Sequence, residues 1–167
     1  MARANKIKGG RLMVYISETE ADVKTGNYVS IALATSHTLN ISADTQDTSN
    51  KDEGGGNWSS SEASTLSWSL DTENMMALDG QGKNFDELFN FFANKKTLYI
   101  VFGERAGLDG DDVTDGGWTP DTTTANKSNY TGACQITALT VNAPNGEYAN
   151  YTATFTGVGA LKQIKNA

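Results

Sequence analysis

Few side chains in this sequence combine the types and the spacing that catalysis requires. The one cysteine, Cys134, lies far along the chain from the one histidine, His37, so no thiolate–imidazole pair is indicated. We expect Cys134 to be a buried thiol and His37 to be a hydrogen-bonded structural side chain. We therefore predict that the protein is not an enzyme and that it uses no cofactor.

A second group of side chains that could support chemistry is acidic and lies among glycines between residues 104 and 129. It consists of Asp109, Asp111, Asp112 and Asp115. A calcium loop is one interpretation, but the spacing does not follow the EF-hand pattern of alternating ligands, a glycine and a distant glutamate. A carboxylate pair for glycoside hydrolysis is another, but no sequence feature positions such a pair. We interpret residues 104–129 as a solvated acidic loop excursion of unassigned role.

Length and charge narrow the possible functions. The 167 residues suit a single domain, residues 1–167, and the formal net charge of -7 disfavours a surface that grips phosphates. The start of the chain, MARANKIKGG, has no apolar signal-peptide core, and no apolar run reaches membrane-spanning length. We expect synthesis in a cytoplasm and no membrane insertion by this chain.

The elements that carry the polar side chains are predicted from period-two alternation. Residues 28–43 place Val29, Leu39 and Ile41 on one side and hydroxyl and amide side chains on the other, with a bend expected near Thr35 or Ser36. A polar, glycine-broken arm follows over residues 44–61. Residues 65–71 then return with the same alternation. The two strands form a ribbon with one apolar face and one polar face.

The rest of the chain predicts a second ribbon and one helix. Residues 130–141 change face near Ala138, as a β-bulge would cause, and residues 148–158 return after a turn. Residues 11–17 and 97–103 are apolar on both faces, which is typical of buried strands. A capping box begins a helix at Asn84, and its predicted core stripe is Phe85, Leu88, Phe89 and Phe92. The sequence thus predicts a mainly β fold.

In order and combination, these stretches resemble the major tail tube proteins of long-tailed bacteriophages. The resemblance is carried by GGRLMVYI, by HTLNISADTQDTSNKDEGGGNW leading into TLSWSLD, by the Phe-rich helix before TLYIVFG, and by YTGACQITALTVNAPNGEYANYTATFTGVGAL. It implies a β-sandwich or half-barrel with one flanking α-helix. Residues 104–129 have no counterpart in it.

The resemblance also implies a function, partners and a location. Such subunits form hexameric rings that stack into a hollow tube, through which DNA passes without specific binding. The expected partners are other copies of the chain and tape-measure, tail terminator and baseplate proteins. The expected location is the virion tail, assembled in the cytoplasm of the bacterial host.

Two sets of residues are predicted to act in such a tube. The shared polar register predicts a lumen-facing set: Ser30, Thr38, Asn40, Thr65, Ser67, Ser69, Asp71, Thr152 and Thr154. The polar arm predicts an inter-ring set, with the tryptophan as its anchor: Asp47, Asn50, Lys51, Asp52 and Trp58.

Two other functions remain open from the sequence. The first is the inner tube protein of a contractile injection or type VI secretion apparatus, which shares the fold. The second is a β-sandwich carbohydrate-binding module that exposes Trp58, Trp68 and Trp118. Trp68 falls on the apolar face of its predicted strand, which favours a core position and counts against the second alternative.

Overall fold

The computed structural model describes residues 6–52, 58–77, 82–107 and 118–167. These form eight strands and one α-helix, after a short 3-10 turn at Gly9–Arg11. The elements, in chain order, are β1 (Leu12–Ser17), β2 (Val29–Ser30), β3 (Ala34–Asp47), β4 (Ser61–Met75), α1 (Phe85–Ala93), β5 (Leu98–Glu104), β6 (Ser128–Asn142), β7 (Asn150–Gly157) and β8 (Lys162–Lys165). The predicted mainly β fold with one helix is confirmed.

All strands belong to one antiparallel sheet, in the order β2-β1-β5-β6-β7-β4-β3, with β8 paired to the start of β6. One hydrophobic cluster joins Val14 and Ile100, from β1 and β5, to Leu70 and Phe155, from β4 and β7. The sheet therefore bends over its own core, and α1 contributes the buried Leu88 to the same cluster.

The two apolar strands are buried on both faces, as predicted. Consecutive residues Val14, Tyr15 and Ile16 of β1 are all fully buried. Since successive side chains of a strand point to opposite faces, both sides must be covered. The main core covers one side, and a second cluster that includes Tyr28 and Val101 covers the other.

Trp68 of β4 lies in the main core, as expected from its register. Its indole Nε1 donates to the backbone oxygen of Gly159 at 3.1 Å, so its polar group is satisfied. Glycines make space for the ring: a Cβ atom added at Gly157 would lie 2.4 Å from the indole, and one at Gly132 would lie 2.7 Å from it.

The helix begins as predicted but presents a different face to the core. The Asn84 side chain accepts from the Glu87 amide at 3.1 Å, and the Glu87 carboxylate accepts from the Asn84 amide at 3.2 Å, which completes the capping box. The buried residues of α1 are Leu88 and Phe91. The assignment of Phe89 and Phe92 to the core was wrong, since the helix is turned so that Phe91 fills the core instead.

The predicted strand over residues 28–43 is two strands. Leu33 has a positive φ of 51°, which breaks the chain between β2, paired with β1, and β3, paired with β4. The predicted bend near Thr35 is confirmed by the register shift between Ala34 and Ser36. The polar arm predicted over residues 44–61 is shorter than expected. Strand β3 continues to Asp47 and β4 begins at Ser61, so residues 48–60 connect the two strands. Residues after 158, for which the sequence predicted no strand, contain β8.

Candidate functional site

Four neighbouring strands, β3, β4, β7 and β6, share one polar face on the side opposite the core. Along β4, Trp68, Leu70, Thr72 and Asn74 are buried, and the residues between them point to the other side. Strand pairing aligns this alternation across the four strands. The polar face consists of Ser36, Thr38, Asn40, Ser42, Ser67, Ser69, Asp71, Glu73, Gln135, Thr137, Thr140, Thr152, Thr154 and Thr156.

The side chains of this face are tied to one another across the strands. The Asp71 carboxylate accepts from the Thr154 hydroxyl at 2.8 Å and from the Asn40 amide at 3.2 Å. Further along the face, hydroxyl pairs join Ser42 with Ser67 at 3.0 Å and Thr137 with Thr156 at 2.9 Å. Cross-strand polar pairs stabilise a sheet and hold its register.

The charges on the four strands are all negative, and they lie in β3 and β4 only. No lysine or arginine occurs in β3, β4, β6 or β7, all of which are fully described. The carboxylates in these strands are Asp44, Asp47, Glu62, Asp71 and Glu73. Because DNA affinity comes mainly from cations that neutralise phosphates, this surface repels a DNA backbone.

The structure brings together most of the predicted lumen-facing residues. Thr38, Asn40, Ser67, Ser69, Asp71, Thr152 and Thr154 lie on the polar face. Thr65 is exposed beside them, where the β3–β4 register shifts between Ala43 and Thr45.

Ser30 is separate from this group and requires a correction. It belongs to the short β2, and its side chain is only 2% exposed. Its hydroxyl accepts a hydrogen bond from the Trp118 backbone amide at 3.2 Å. The break at Leu33 removes it from the face of β3, so it does not share a surface with Thr38 and Asn40.

Several residues of the polar face were missed by the sequence reasoning. Glu73 was omitted because the predicted strand ended at Asp71, although β4 continues to Met75. Thr137 and Gln135 lie around the β-bulge of β6, where the alternation changes phase between Ile136 and Ala138. That phase change was predicted, but its polar residues were not assigned to the site.

The predicted inter-ring residues lie at the tip of the β3–β4 hairpin. Backbone amides of Ser49 and Asp52 donate to the side chains of Asp47 and Asn50, at 2.8 and 2.9 Å. The Ser49 bonds lower the pKa of the Asp47 carboxyl. Trp58 is 88% exposed, and residues 53–57 beside it lie outside the described part of the chain.

Both outer strands of this face offer an open edge. Among the described residues, β3 pairs only with β4. Strand β5 pairs with β6 as far as Cys134, so residues 135–142 of β6 have a partner on the β7 side only. Unpaired strand edges are sites for addition of another strand.

The remaining candidate groups do not form a site. Cys134 is buried as predicted, and burial raises the pKa of its thiol to about 12. His37 has a buried Nδ1 without a hydrogen-bond partner in the described part of the chain. Within that part, no cluster of three or more His, Cys, Asp or Glu residues is placed to hold a metal ion. The four aspartates at 109, 111, 112 and 115 lie outside it.

The open strand edges of this antiparallel sheet favour association through the addition of further strands. Residues 6–100 match the family model described as phage tail tube protein, which is more than half of the chain. The chain belongs to the phage tail tube protein family. It is a structural tail tube subunit and not an enzyme.

Solved structures with the same fold come from several tail assemblies. A chain in the tail of an empty gene transfer agent particle, refined with C6 helical symmetry, is 15% identical with a TM-score of 0.68, covering 97% of this chain and 100% of that one. The SPP1 tail tube is 10% identical with a TM-score of 0.60, covering 97% and 80%. A chain in the six-fold symmetrised anti-feeding prophage baseplate is 9% identical with a TM-score of 0.61, covering 98% of both.

The curated proteins contain no sequence match to this chain. None of the described helices is long and apolar enough to cross a membrane.

Proposed function

We propose that this chain forms hexameric rings that stack into a hollow tail tube, and that phage DNA passes through the tube into the host. One observation carries the proposal: a polar, cation-free sheet face lies between two open strand edges. Family membership supports a tube subunit, and the C6 symmetry of a structural neighbour supports six copies.

The strand directions favour closure of the sheet into a ring. All neighbouring pairs among β6, β7, β4 and β3 are antiparallel, so β3 and β6 run in opposite directions. Rotation about a ring axis preserves these directions. The open edge of β3 in one copy therefore meets residues 135–142 of the next copy in antiparallel orientation, and every copy contributes four strands to one barrel. Closure removes both open edges.

The polar face would then line the lumen. Its hydroxyl and amide groups keep the wall wetted, and the carboxylates of Asp71 and Glu73 keep phosphates from binding. A tube that conducts DNA needs this weak interaction, since every bound phosphate would slow passage. The opposite face, with Leu70 and Phe155, remains in the core of each subunit.

The hairpin tip would join successive rings. Its strands extend beyond the core, since Leu66 and Ile41 are already largely exposed, and the tip carries the exposed Trp58. An exposed tryptophan is a strong anchor for a protein interface. Tube ends would meet tail terminator and baseplate proteins, and a tape-measure protein would occupy the lumen during assembly in the host cytoplasm.

Two other functions compete with a phage tail tube. The similarity to a chain of the anti-feeding prophage baseplate keeps the inner tube of a contractile injection apparatus as a second candidate. A neighbouring sheath gene would favour it. The carbohydrate-binding alternative relied on exposed tryptophan rings and is disfavoured. Trp68 is only 5% exposed, and the guanidinium of Arg105 lies 4.0 Å from the centre of the Trp118 ring.

Negative-stain electron microscopy of the concentrated pure protein tests the proposal. We expect rings with a central hole and stacked tubes. A chain that stays a monodisperse monomer at high concentration, with no rings under any salt condition, would contradict it. Loading the same preparation with linear DNA would show whether the tubes leave DNA unbound, as an acidic lumen requires.

A further inference from the structure

Two apolar patches remain exposed on the core side of the sheet, at opposite edges. The helix patch consists of Phe89, Phe92 and Val141, which are 51%, 40% and 48% exposed. The hairpin patch consists of Ile41 and Leu66, which are 62% and 74% exposed. Exposed apolar side chains that cluster at a surface are typical of protein contacts.

The helix patch lies beside the open edge of β6. The Phe89 ring is 6.3 Å from the Phe85 ring, which in turn is 5.1 Å from the ring of Tyr151. Tyr151 of β7 is the pairing partner of Val141 in β6. Val141 belongs to residues 135–142, the part of β6 that has no strand on its other side among the described residues.

The hairpin patch lies at the other edge of the same face. Ile41 of β3 pairs with Trp68, whose ring is in the core, so Ile41 points to the core side of the sheet. Leu66 precedes Trp68 by two residues and shares that side. Together they line a groove of about 390 Å³ that also contacts Gly157 and Leu161.

Resting on the ring proposed above, we infer that the helix patch of one copy packs into the hairpin patch of its neighbour in the same ring. When β3 of one copy pairs with β6 of the next, the core sides of the two sheets lie on the same side. Within one copy, Ile41 is level with the Cys134 end of β6, and Val141 is level with Ala34, seven residues further along β3. Strands of a closed barrel are tilted and staggered, and a stagger of about seven residues between β3 and the next copy's β6 brings Ile41 and Leu66 next to α1, with Phe89 and Phe92 facing them. The contact joins two different surfaces, so it repeats around a closed ring without self-pairing.

The outer half of the hairpin and the C-terminal end of α1 carry opposite charges, whereas Asp86 and Glu87 lie at the other end of the helix. The outer half of the hairpin carries Asp44, Asp47 and Glu62, all exposed and without a lysine or arginine among residues 34–47 and 61–75. The helix ends at Ala93 and is followed by the exposed Lys95. Opposite charges at the rim of an apolar contact orient the partners and exclude other pairings.

Cysteine crosslinking in assembled tubes tests this contact directly. The full-length double variant Leu66→Cys with Phe92→Cys would be oxidised with copper phenanthroline after assembly. Ser67→Cys with Phe92→Cys is the matched control, since Ser67 neighbours Leu66 but points to the polar face. We expect a ladder of covalent oligomers at least ten-fold stronger than in the control. Tubes without a ladder above the control would overturn the inference and leave the ring proposal intact.

A second measurement covers the case in which the cysteine variants do not assemble. Phe92→Ser and Leu66→Ser change exposed side chains, so the monomer should keep its melting temperature. We expect the critical concentration for tube formation to rise at least ten-fold, whereas Asn90→Ser, exposed on the same helix, leaves it unchanged. Wild-type critical concentrations for both patch variants would refute the contact. Failure of the wild-type chain to form rings would instead refute the proposed function, and the inference with it.

Discussion

The Asp71 carboxylate in β4 accepts a hydrogen bond from the Thr154 hydroxyl in β7 at 2.8 Å. These residues are 83 positions apart in sequence, yet strand pairing sets them opposite one another. The same carboxylate accepts from Asn40 in β3, so one negative charge is held in place by the strands on either side of it. The polar face is thus an ordered surface on which both charge and hydroxyl positions are fixed.

The first prediction concerns the charge of that face. Replacing Asp71 by lysine in every copy would place a ring of cations where DNA is proposed to pass. We expect Asp71→Lys tubes to retain linear DNA, with retention that falls steeply as salt rises, because phosphate binding is salt-dependent. Co-sedimentation of tubes with DNA at several salt concentrations measures this. Asp71→Asn, which removes charge without adding a cation, should retain little DNA. Equal retention by both variants and wild type would place Asp71 away from the DNA path.

The polar face was largely predictable because the signal that defines it is local. Alternation with period two holds along β7, where the buried Tyr151, Ala153 and Phe155 alternate with Thr152 and Thr154 as expected. Each strand contributes its own polar side without any information about its neighbours. The faces therefore follow from sequence wherever the strand itself is continuous.

The sequence-based predictions were wrong at positions where tertiary contacts, rather than the local sequence, determine the structure. Nothing local marks Leu33 as the residue with positive φ that separates Ser30 from β3. In the helix, adjacent phenylalanines permit several apolar stripes, and packing against the sheet selects Phe91 over Phe92. Strand β8 is short and polar, so its pairing with β6 leaves no periodic signal.

The second prediction concerns the hairpin tip. Deletion of residues 50–57 should leave a folded monomer, because the described part of this range, residues 50–52, is exposed and belongs to neither hydrophobic cluster. It should nevertheless block growth of tubes if the tip joins successive rings. Circular dichroism and electron microscopy together measure both outcomes. Trp58→Ala should produce shorter tubes without changing the melting temperature, and a deletion variant that forms normal tubes would contradict the role of the arm.

The third prediction separates the two sides of α1. Phe91→Ala should lower the free energy of unfolding of the monomer by about 3–5 kcal/mol, since Phe91 is 8% exposed and belongs to the main core. Phe89→Ala, at 51% exposure, should cost less than about 1 kcal/mol in the same urea titration. Similar losses for the two variants would mean that the helix is turned differently from the structure.

The fourth prediction concerns His37. Burial lowers its pKa to about 4, so the imidazole is neutral in the folded chain. In the unfolded chain its pKa is about 6.5, and the unfolded state binds more protons between these two values. Folding stability should therefore fall as pH drops from about 6.5 to about 4. His37→Gln should flatten this part of the stability curve from urea titrations. An unchanged slope in the variant would show that His37 titrates normally.

The fifth prediction concerns Asp121, which anchors the end of the chain. Its carboxylate accepts from the amides of Thr123 and Thr124, each at 3.0 Å, and from the ammonium of Lys127 at 3.3 Å. Its backbone oxygen accepts from the side chains of Asn129 and Asn166. These contacts tie the segment before β6 to the residues that follow β8.

Burial alone would raise the pKa of Asp121, but the hydrogen bonds to Thr124, Thr123 and Lys127 outweigh it and lower that pKa below its ordinary value. The carboxylate then stabilises the fold above the unfolded pKa of about 3.9, and this stability is lost as pH falls below it. We expect Asp121→Asn to lose roughly 1–3 kcal/mol at pH 7. The variant should also lose less stability than wild type between about pH 4 and pH 2. Chemical denaturation across this range measures both effects, and parallel curves for the two proteins would show that Asp121 does not titrate with folding.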